Sequence, residues 1–368
     1  MDDDEMPDFV DLDDPGLEIV GECGGEGETL SDSEDDDDDC DDALEGSAAG
    51  DMEEEDYRDD AVAIFKGHKD PVHALCQHPT QPLICSGGED DTAIVWQYPE
   101  CTVKHTLSGH TDTIVAAAVT FDAKHFVTGA LDGLVKVWDV ETGELSATLE
   151  GLSDGVEFLI CHPKGGVVFA GSADGTSCMW NLKGECMQVF TGHSDGVTCG
   201  LLVQEGKQLV TGSGDCTLRV WNPRTAETVH LFDKLSRLPE AAPLCLHISD
   251  HSPDVLLVGF EDGCVAWVGI KNGKVLKSEQ GHSASVEHIA SCGSLPLFAS
   301  CSVDGSMIVW DCNTQSMRSK STFSKAVIRL LWHEHRIFCS LEDGSIRMRD
   351  GRSAADDGSR QWRGHEGA

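Results

Sequence analysis

Basic side chains are scarce in this sequence: 26 Lys and Arg stand against 66 Asp and Glu, a formal net charge of −40 over 368 residues. A chain this acidic repels phosphate backbones, which argues against direct nucleic-acid binding. Long apolar runs are missing too, and with them the stretch of roughly 20 residues that a bilayer-spanning helix needs. The opening residues, MDDDEMPD, are the opposite of the basic start of a secretory signal. A soluble monomer without membrane insertion is therefore expected, in the cytoplasm and with the nucleus left open. No Cys-x-x-Cys pair occurs among the sixteen cysteines, and neither a metal nor a cofactor is expected. Cys76, Cys85, Cys161, Cys199, Cys245 and Cys339 fall in apolar runs and read as reduced, mostly buried thiols of a reducing compartment.

The charge is unevenly placed. Residues 1–60 hold 29 Asp and Glu against the single base Arg58. So charged a segment, poor in aromatics, cannot bury enough apolar surface to fold alone, and the reading is a disordered acidic tail. Its runs Asp35–Asp39 and Glu53–Asp56 would speed encounters with a cationic partner, an effect that salt weakens; plain solubility is the other reading. Ser31 and Ser33, within SDSEDDDDD, resemble acidophilic kinase sites. Phe9–Val20 places a few apolar residues among the acids, and passive disorder is the simpler account of it than a docking motif.

From residue 61 onward the chain repeats itself. The segment Gly109–Asp139 opens with Gly-His, closes with Trp-Asp and carries an Asp132-Gly133 pair between apolar runs. Such a pair predicts a hairpin, and a type I′ turn would need positive φ at both of its central residues. His110 and Asp132 are 22 residues apart, and the same interval separates His68 from Asp90, His193 from Asp215 and His282 from Asp304. A Trp follows each Asp after six residues: Trp96, Trp138, Trp221 and Trp310. Three further units keep the turn but lose other marks. They centre on Asp174 (Leu152 in the His place), Asp262 (Val268 in the Trp place) and Asp343 (Arg349 in the Trp place). A period of about 40–45 residues with these marks predicts an all-β propeller of four-stranded blades over residues 61–368, and the chain resembles the WD-repeat family. In the Gly109 unit the strands are expected at Ile114–Phe121, His125–Thr128, Leu134–Trp138 and Glu144–Leu149.

Ser86, His68 and Asp90 could pass for a hydrolase triad, as could Thr128, His110 and Asp132. Repetition argues otherwise, because an enzyme has no use for one triad four times around a ring. In WD-repeat proteins these positions form a buried chain from Trp to Ser or Thr, to His, to Asp. The resemblance therefore implies structural tetrads: Ser86, His68, Asp90, Trp96; Thr128, His110, Asp132, Trp138; Thr211, His193, Asp215, Trp221; Ser300, His282, Asp304, Trp310. No catalytic residue is assigned, and a non-enzymatic protein is expected.

The ends do not tally with a closed ring. Ala61–Lys66 has the character of an outer strand that would complete the last blade, yet Gly358–Arg363 reads as that blade's own outer strand. Gly364-His365 then starts a further unit. The expectation is seven repeats and an incomplete eighth blade, with a seven-bladed ring and a redundant strand as the alternative. An empty slot would expose about 1,000 Å² of largely apolar surface, on the order of 25 kcal/mol by area.

In WD-repeat proteins partners are often gripped by the residue before the turn Asp and by those opening the first strand of a blade. Here the first set is Glu89, Leu131, Ala173, Gly214, Glu261, Val303 and Glu342; the second includes Asp70, Asp112, Asp154, Glu157, Asp195 and Glu287. This acidic rim predicts a basic partner. Turns rich in Asp and Glu for local reasons are the competing explanation.

The segments Ser86–Gln97, Gly155–Pro163 and Ser285–Ile289, with the acidic N-terminal stretch, resemble the angio-associated migratory cell protein family. That family includes a fungal ribosome-assembly chaperone, an eight-bladed propeller that holds the basic N-terminus of a new large-subunit ribosomal protein. The resemblance implies a non-catalytic chaperone whose client-binding residues are Glu89, Glu157, Glu261, Glu287, Glu342, Asp70 and Asp112, with Glu89, Glu157 and Glu287 pairing with client Lys or Arg. A signalling or cell-migration scaffold is the first alternative. A ubiquitin-ligase substrate receptor is the second, supported only by the imperfect Trp-Asp-x-Arg matches at Trp221–Arg224 and Arg349–Arg352.

Overall fold

A computed structural model describes residues 63–353 and 361–362. The acidic N-terminal stretch with Ser31 and Ser33, and the Gly364-His365 pair, lie outside the described residues. What is described is seven four-stranded antiparallel sheets, each built from consecutive strands. Blade 1 is Val72–Gln77, Leu83–Gly88, Thr92–Gln97 and Thr102–Ser108, numbered here from the inner strand outward. Blade 2 is Ile114–Val119, His125–Ala130, Val135–Asp139 and Leu145–Leu149. Blades 3 to 7 repeat the plan, with inner strands Val156–Cys161, Val197–Val203, Pro243–Ser249, Val286–Ser291 and Val327–His333.

The second and third strands of a blade are buried on both faces, which is why they read as unbroken apolar runs rather than alternating ones. In blade 3 all of Val167–Ser172 and Ser177–Asn181 are buried. Neighbouring blades share one core: Val203, Leu218 and Phe232 of blade 4 pack with Leu256, Phe260 and Ala266 of blade 5. Fourth strands face solvent and alternate, as in Lys274–Gln280.

The hairpin between the second and third strands differs from its prediction. Only the residue after the turn Asp has positive φ: Asp91, Gly133, Gly175, Cys216, Gly263, Gly305 and Gly344, all between 57° and 86°. Gly133 N–H donates to the Ala130 carbonyl at 3.2 Å and Ala130 N–H to Leu134 at 3.3 Å. This is the three-residue loop that ends in one left-handed residue, not the type I′ turn. The Asp stays at negative φ, where its carboxylate can accept the backbone N–H two residues on, Leu134 in blade 2 at 2.9 Å.

Inner strands pack in series, blade 1 on 2, 2 on 3, and so on to 6 on 7. Among the described residues no such packing joins blade 7 to blade 1. The two facing inner strands are correspondingly bare: Leu75 of blade 1 is 65% exposed and Leu331 of blade 7 is 64% exposed, with Val72 and Ile328 also exposed. Among the described residues the ring is thus seven blades and an open interval.

The described part of Ala61–Lys66 is not an outer strand of the last blade. These residues, 63–66, pair with no sheet, and Phe65 instead stacks on Trp96 of blade 1 at 4.5 Å between ring centres, 8° from parallel. Blade 7 takes its fourth strand from Gln361–Trp362, which pairs with Ile346–Asp350. The stacked rings bury apolar area on the outside of blade 1. Among the described residues the count is therefore seven outer strands, one per blade, and the open interval stands on the exposed faces alone.

Fourteen cysteines are described, all free, eight of them buried. Burial pushes Cys199 and Cys339 up to about 12. Cys76 and Cys161 are half-buried rather than fully enclosed.

Candidate functional site

On one end of the ring lie the turn Asp residues and the links between blades. In blade 2, Trp138 Nε1 donates to Thr128 Oγ1 at 2.8 Å, Thr128 Oγ1 lies 2.9 Å from His110 Nε2, and His110 Nδ1 lies 3.0 Å from Asp132. Trp is a donor only, so the hydroxyl accepts from it and donates onward to Nε2, which leaves the ring hydrogen on Nδ1 for the carboxylate. Blade 1 has the same chain through Trp96, Ser86, His68 and Asp90 (3.2, 2.8 and 3.1 Å). Blade 4 has it through Trp221, Thr211, His193 and Asp215 (2.8, 2.8 and 3.1 Å). In blade 6 Trp310, Ser300 and His282 connect likewise at 2.8 and 2.7 Å, but Asp304 stands 3.5 Å from Nδ1. Ser306 bridges the two, 2.7 Å from His282 and donating to Asp304 at 2.5 Å.

The protonation states follow from this wiring. Burial holds His110, His193 and His282 below the ordinary imidazole value despite their carboxylates, with His282 brought down to about 4. Burial would raise Asp90, but hydrogen bonds from Thr92, His68 and Lys69 outweigh it and bring the group down to about 2. In blades 2, 4 and 6 neutral rings beside ionised carboxylates leave no pair poised to exchange a proton at neutral pH. The turn Asp also clamps the link leading into its own blade: Lys69, Thr111, Ser153, Ser194 and Ser283 each donate a backbone N–H to it.

Blades 3, 5 and 7 lack the chain. The place of Thr128 is taken there by Ala170, Val258 and Cys339, all fully buried. Loss of the His and loss of the hydroxyl go together, so neither is left unpaired. Trp180 Nε1 donates to the Glu150 carbonyl at 2.7 Å instead. In blade 7 Arg349 fills the Trp place, its guanidinium 4.5 Å above the Phe323 ring.

A second device repeats seven times. The residue before the turn Asp donates its N–H to the start of its blade's inner strand: Glu89 to Pro71, Leu131 to Thr113, Ala173 to Gly155, Gly214 to Gly196, Glu261 to Ala242, Val303 to Ser285 and Glu342 to Ala326, at 2.9–3.3 Å. Just beyond, every inner strand skips one residue in its pairing. The skipped residues are His73, Val115, Glu157, Thr198, Leu244, Glu287 and Ile328. A bulge frees its residue from the ladder and re-aims it, so each blade presents two adjacent seats on the rim.

Glu157 and Glu287 occupy bulge seats of blades 3 and 6; Glu89, Glu261 and Glu342 occupy pre-turn seats of blades 1, 5 and 7. Glu89, Glu157, Glu261, Glu342, Asp70 and Asp112 are exposed and Glu287 is half-buried. Glu89 lies 2.8 Å from His73 Nε2, and Glu287 accepts from Ser285 Oγ at 2.6 Å. Among the described residues no Lys or Arg ion-pairs with any of the five glutamates. Burial, then the charge of Asp154, holds the Glu157 carboxyl above its usual range.

Two features escape a purely acidic description of the rim. Leu131, Val303 and Ile328 sit in the same seats and are 42%, 43% and 38% exposed. Exposed bases at the inner-strand openings, Lys69 of blade 1 and Lys325 and Arg329 of blade 7, flank the open interval. The bulge seat was available from spacing: it falls five residues after the His place in blades 1, 2, 3, 4 and 6. An unbroken apolar run gives no sign of a skipped pairing.

Comparison with known proteins fits this architecture. The description "WD domain, G-beta repeat" matches residues 60–97, 101–139, 143–181, 184–222 and 273–311, leaving out only blades 5 and 7, where Val268 and Arg349 replace the Trp. The human angio-associated migratory cell protein is 29% identical over 315 residues, 80% of this chain and 71% of that one. Ribosome assembly protein SQT1 of Saccharomyces cerevisiae is 25% identical over 325 residues, 80% of this chain and 75% of that one. The crystal structure of S. cerevisiae Sqt1 superposes with a TM-score of 0.79 at 22% identity, covering 84% of this chain and 90% of that one. Chaetomium thermophilum Sqt1, solved bound to the N-terminus of the ribosomal protein L10, superposes with a TM-score of 0.77 at 23% identity, covering 84% of this chain and 92% of that one. With more than half of its residues matched by the repeat description and seven blades carrying its turn, the chain belongs to the WD-repeat family.

Proposed function

We propose that this protein is a non-catalytic chaperone that holds a Lys/Arg-rich segment of a ribosomal protein on the rim formed by the pre-turn and bulge seats. The observation that carries the reading is the set of five glutamates in those seats with no Lys or Arg paired to them. Carboxylates held at a rim without a cationic partner favour a cation that arrives from outside. Glu157 adds to this, since its charged form is disfavoured in the free protein and gains most from a cation. The bases Lys69, Lys325 and Arg329 sit at the two ends of the arc beside Glu89 and Glu342, which leaves Glu157, Glu261 and Glu287 of blades 3, 5 and 6 as the strongest draw for a cationic segment. The similarity to Sqt1, one of whose structures holds the N-terminus of L10, supports a ribosomal protein as the class of client.

The test is capture of newly made proteins from cells at low and moderate salt, with the wild type and the double charge reversal Glu157→Lys, Glu287→Lys. A basic ribosomal protein retained by the wild type and lost by the variant is expected. Retention of the same client by the charge-reversed protein would sink the site. A client set of cortical signalling proteins or of ligase subunits would replace the reading with a scaffold or a substrate receptor.

A further inference from the structure

The rim alternates acid with exposed apolar side chains, and at one place the two are joined by backbone geometry. Leu131 is the pre-turn residue of blade 2, yet it leans onto blade 3. Its Cδ2 lies 3.1 Å from where a Cβ on Gly155 would stand, and its Cα lies 3.3 Å from the same point. Gly155 precedes Glu157 by two residues on the strand opening that holds the bulge. The N–H of Leu131 is fixed to Thr113 and that of Ala173 to Gly155, both within 3.0 Å. Both neighbours of the Leu131–Glu157 pair are thereby pinned, and the pair is set before any partner arrives. Leu131 stays 42% exposed although it packs on the next blade.

We propose that Leu131 and Glu157, with Asp154 beside them, form a compound seat that takes an apolar side chain and an adjacent cationic one from the same segment. The partner is thus a basic segment punctuated by an aliphatic or aromatic residue, rather than a uniformly charged one. The inference rests on the proposed binding of a basic segment to this rim and specifies what the segment must carry. Charge alone gives encounter and weak selectivity, because any Lys-rich tail satisfies it. An apolar side chain that covers Leu131 also removes water from around Glu157, which strengthens the ion pair beside it. Burying about 50 Å² of apolar surface in this way is worth about tenfold in affinity.

Two synthetic peptides test the seat by titration calorimetry at low salt: one alternating Lys and Ser, the other identical but with Leu in place of one central Ser. Wild type is expected to bind the Leu peptide about tenfold more tightly. In Leu131→Asn the two peptides are expected to bind alike. A control substitution on an outer strand, Val229→Asn, should keep the tenfold preference. A preference that survives Leu131→Asn, or is absent from wild type while both peptides bind, overturns the compound seat and leaves the basic-segment reading standing. Failure of both peptides to bind wild type overturns that reading and the seat with it. Thermal melts of each variant keep loss of fold separate from loss of the seat.

Discussion

Trp180 Nε1 donates to the carbonyl of Glu150 at 2.7 Å, across a blade in which Ala170 and Leu152 occupy the places that hold a hydroxyl and an imidazole elsewhere. The same buried indole is satisfied in two ways within one chain. Where a side-chain route exists it runs through Ser or Thr and His to Asp; where it does not, a main-chain carbonyl serves. At these places the hydroxyl and the imidazole come together or not at all.

Removing the hydroxyl from one blade and adding one at the equivalent place in another should both destabilise. Thr128→Val leaves Trp138 Nε1 and His110 Nε2 buried without a partner, at about 1–3 kcal/mol for each group. Ala170→Thr inserts a hydroxyl into blade 3, where the indole is already paired and no imidazole waits; it too should destabilise, by about 1–3 kcal/mol. Denaturant midpoints of both variants check this. A neutral Ala170→Thr would mean that the hydroxyl finds a backbone acceptor in that blade.

The 22-residue interval and the Asp-Gly pair were enough to lay out seven blades, because the turn and the link are tied by one carboxylate at a fixed distance along the chain. Ala61–Lys66 was misread because an apolar run just before Gly67-His68 stands where an outer strand would, whereas the stacking of Phe65 on Trp96 depends on a residue 31 positions away. The joint replacement of imidazole and hydroxyl by Leu152 and Ala170 was within reach of the sequence, since Ala170 stands four residues before Asp174 as Thr128 stands before Asp132. The rim bulges left no mark in the apolar pattern, yet they decide where Glu157 and Glu287 stand.

Acid should weaken this fold through two of its buried imidazoles. His282 and His288 are both held at about 4, chiefly by burial; Arg329 and His247 add to the effect at His288. The unfolded chain takes up these protons near pH 6.5, the native chain only near 4, so stability rises with pH across that window. It is fully present above about 6.5 and is lost as pH falls towards 4. His288 Nδ1 has no hydrogen-bond partner, so His288→Leu should shrink the fall in Tm between pH 7.5 and pH 5. An undiminished fall would place the proton uptake elsewhere.

Binding of a cationic segment should be linked to protons in the opposite place. The Glu157 carboxyl is held above its usual range by burial and by Asp154. A bound Lys or Arg favours the ionised form, so the pKa drops on binding and a proton is released. Affinity therefore rises as pH climbs through the titration of free Glu157 and falls in mild acid. Glu157→Gln should flatten that part of the pH profile, which calorimetry in buffers of different ionisation enthalpy reads directly as a change in protons released. An unchanged profile would remove Glu157 from the contact.

The open interval makes a prediction that separates exposed from enclosed copies of one strand position. Leu331 of blade 7 and Ala290 of blade 6 occupy equivalent places three residues past the bulge, but Leu331 is 64% exposed and Ala290 only 7%. Leu75 of blade 1 and Ile289 of blade 6 differ in the same way, 65% against 2%. Lysine at Leu75 and Leu331 should leave the denaturant midpoint nearly unchanged, while Ala290→Lys buries a charge and should unfold the blade. Two apolar faces bordering a gap also favour contact between copies. Sedimentation velocity should then show concentration-dependent association for the wild type, and the monomer expected from the charge should emerge in Leu75→Lys, Leu331→Lys. If the wild type sediments as a single monomeric species at all concentrations, the two faces must be covered in solution, and the lysine pair would then cost stability.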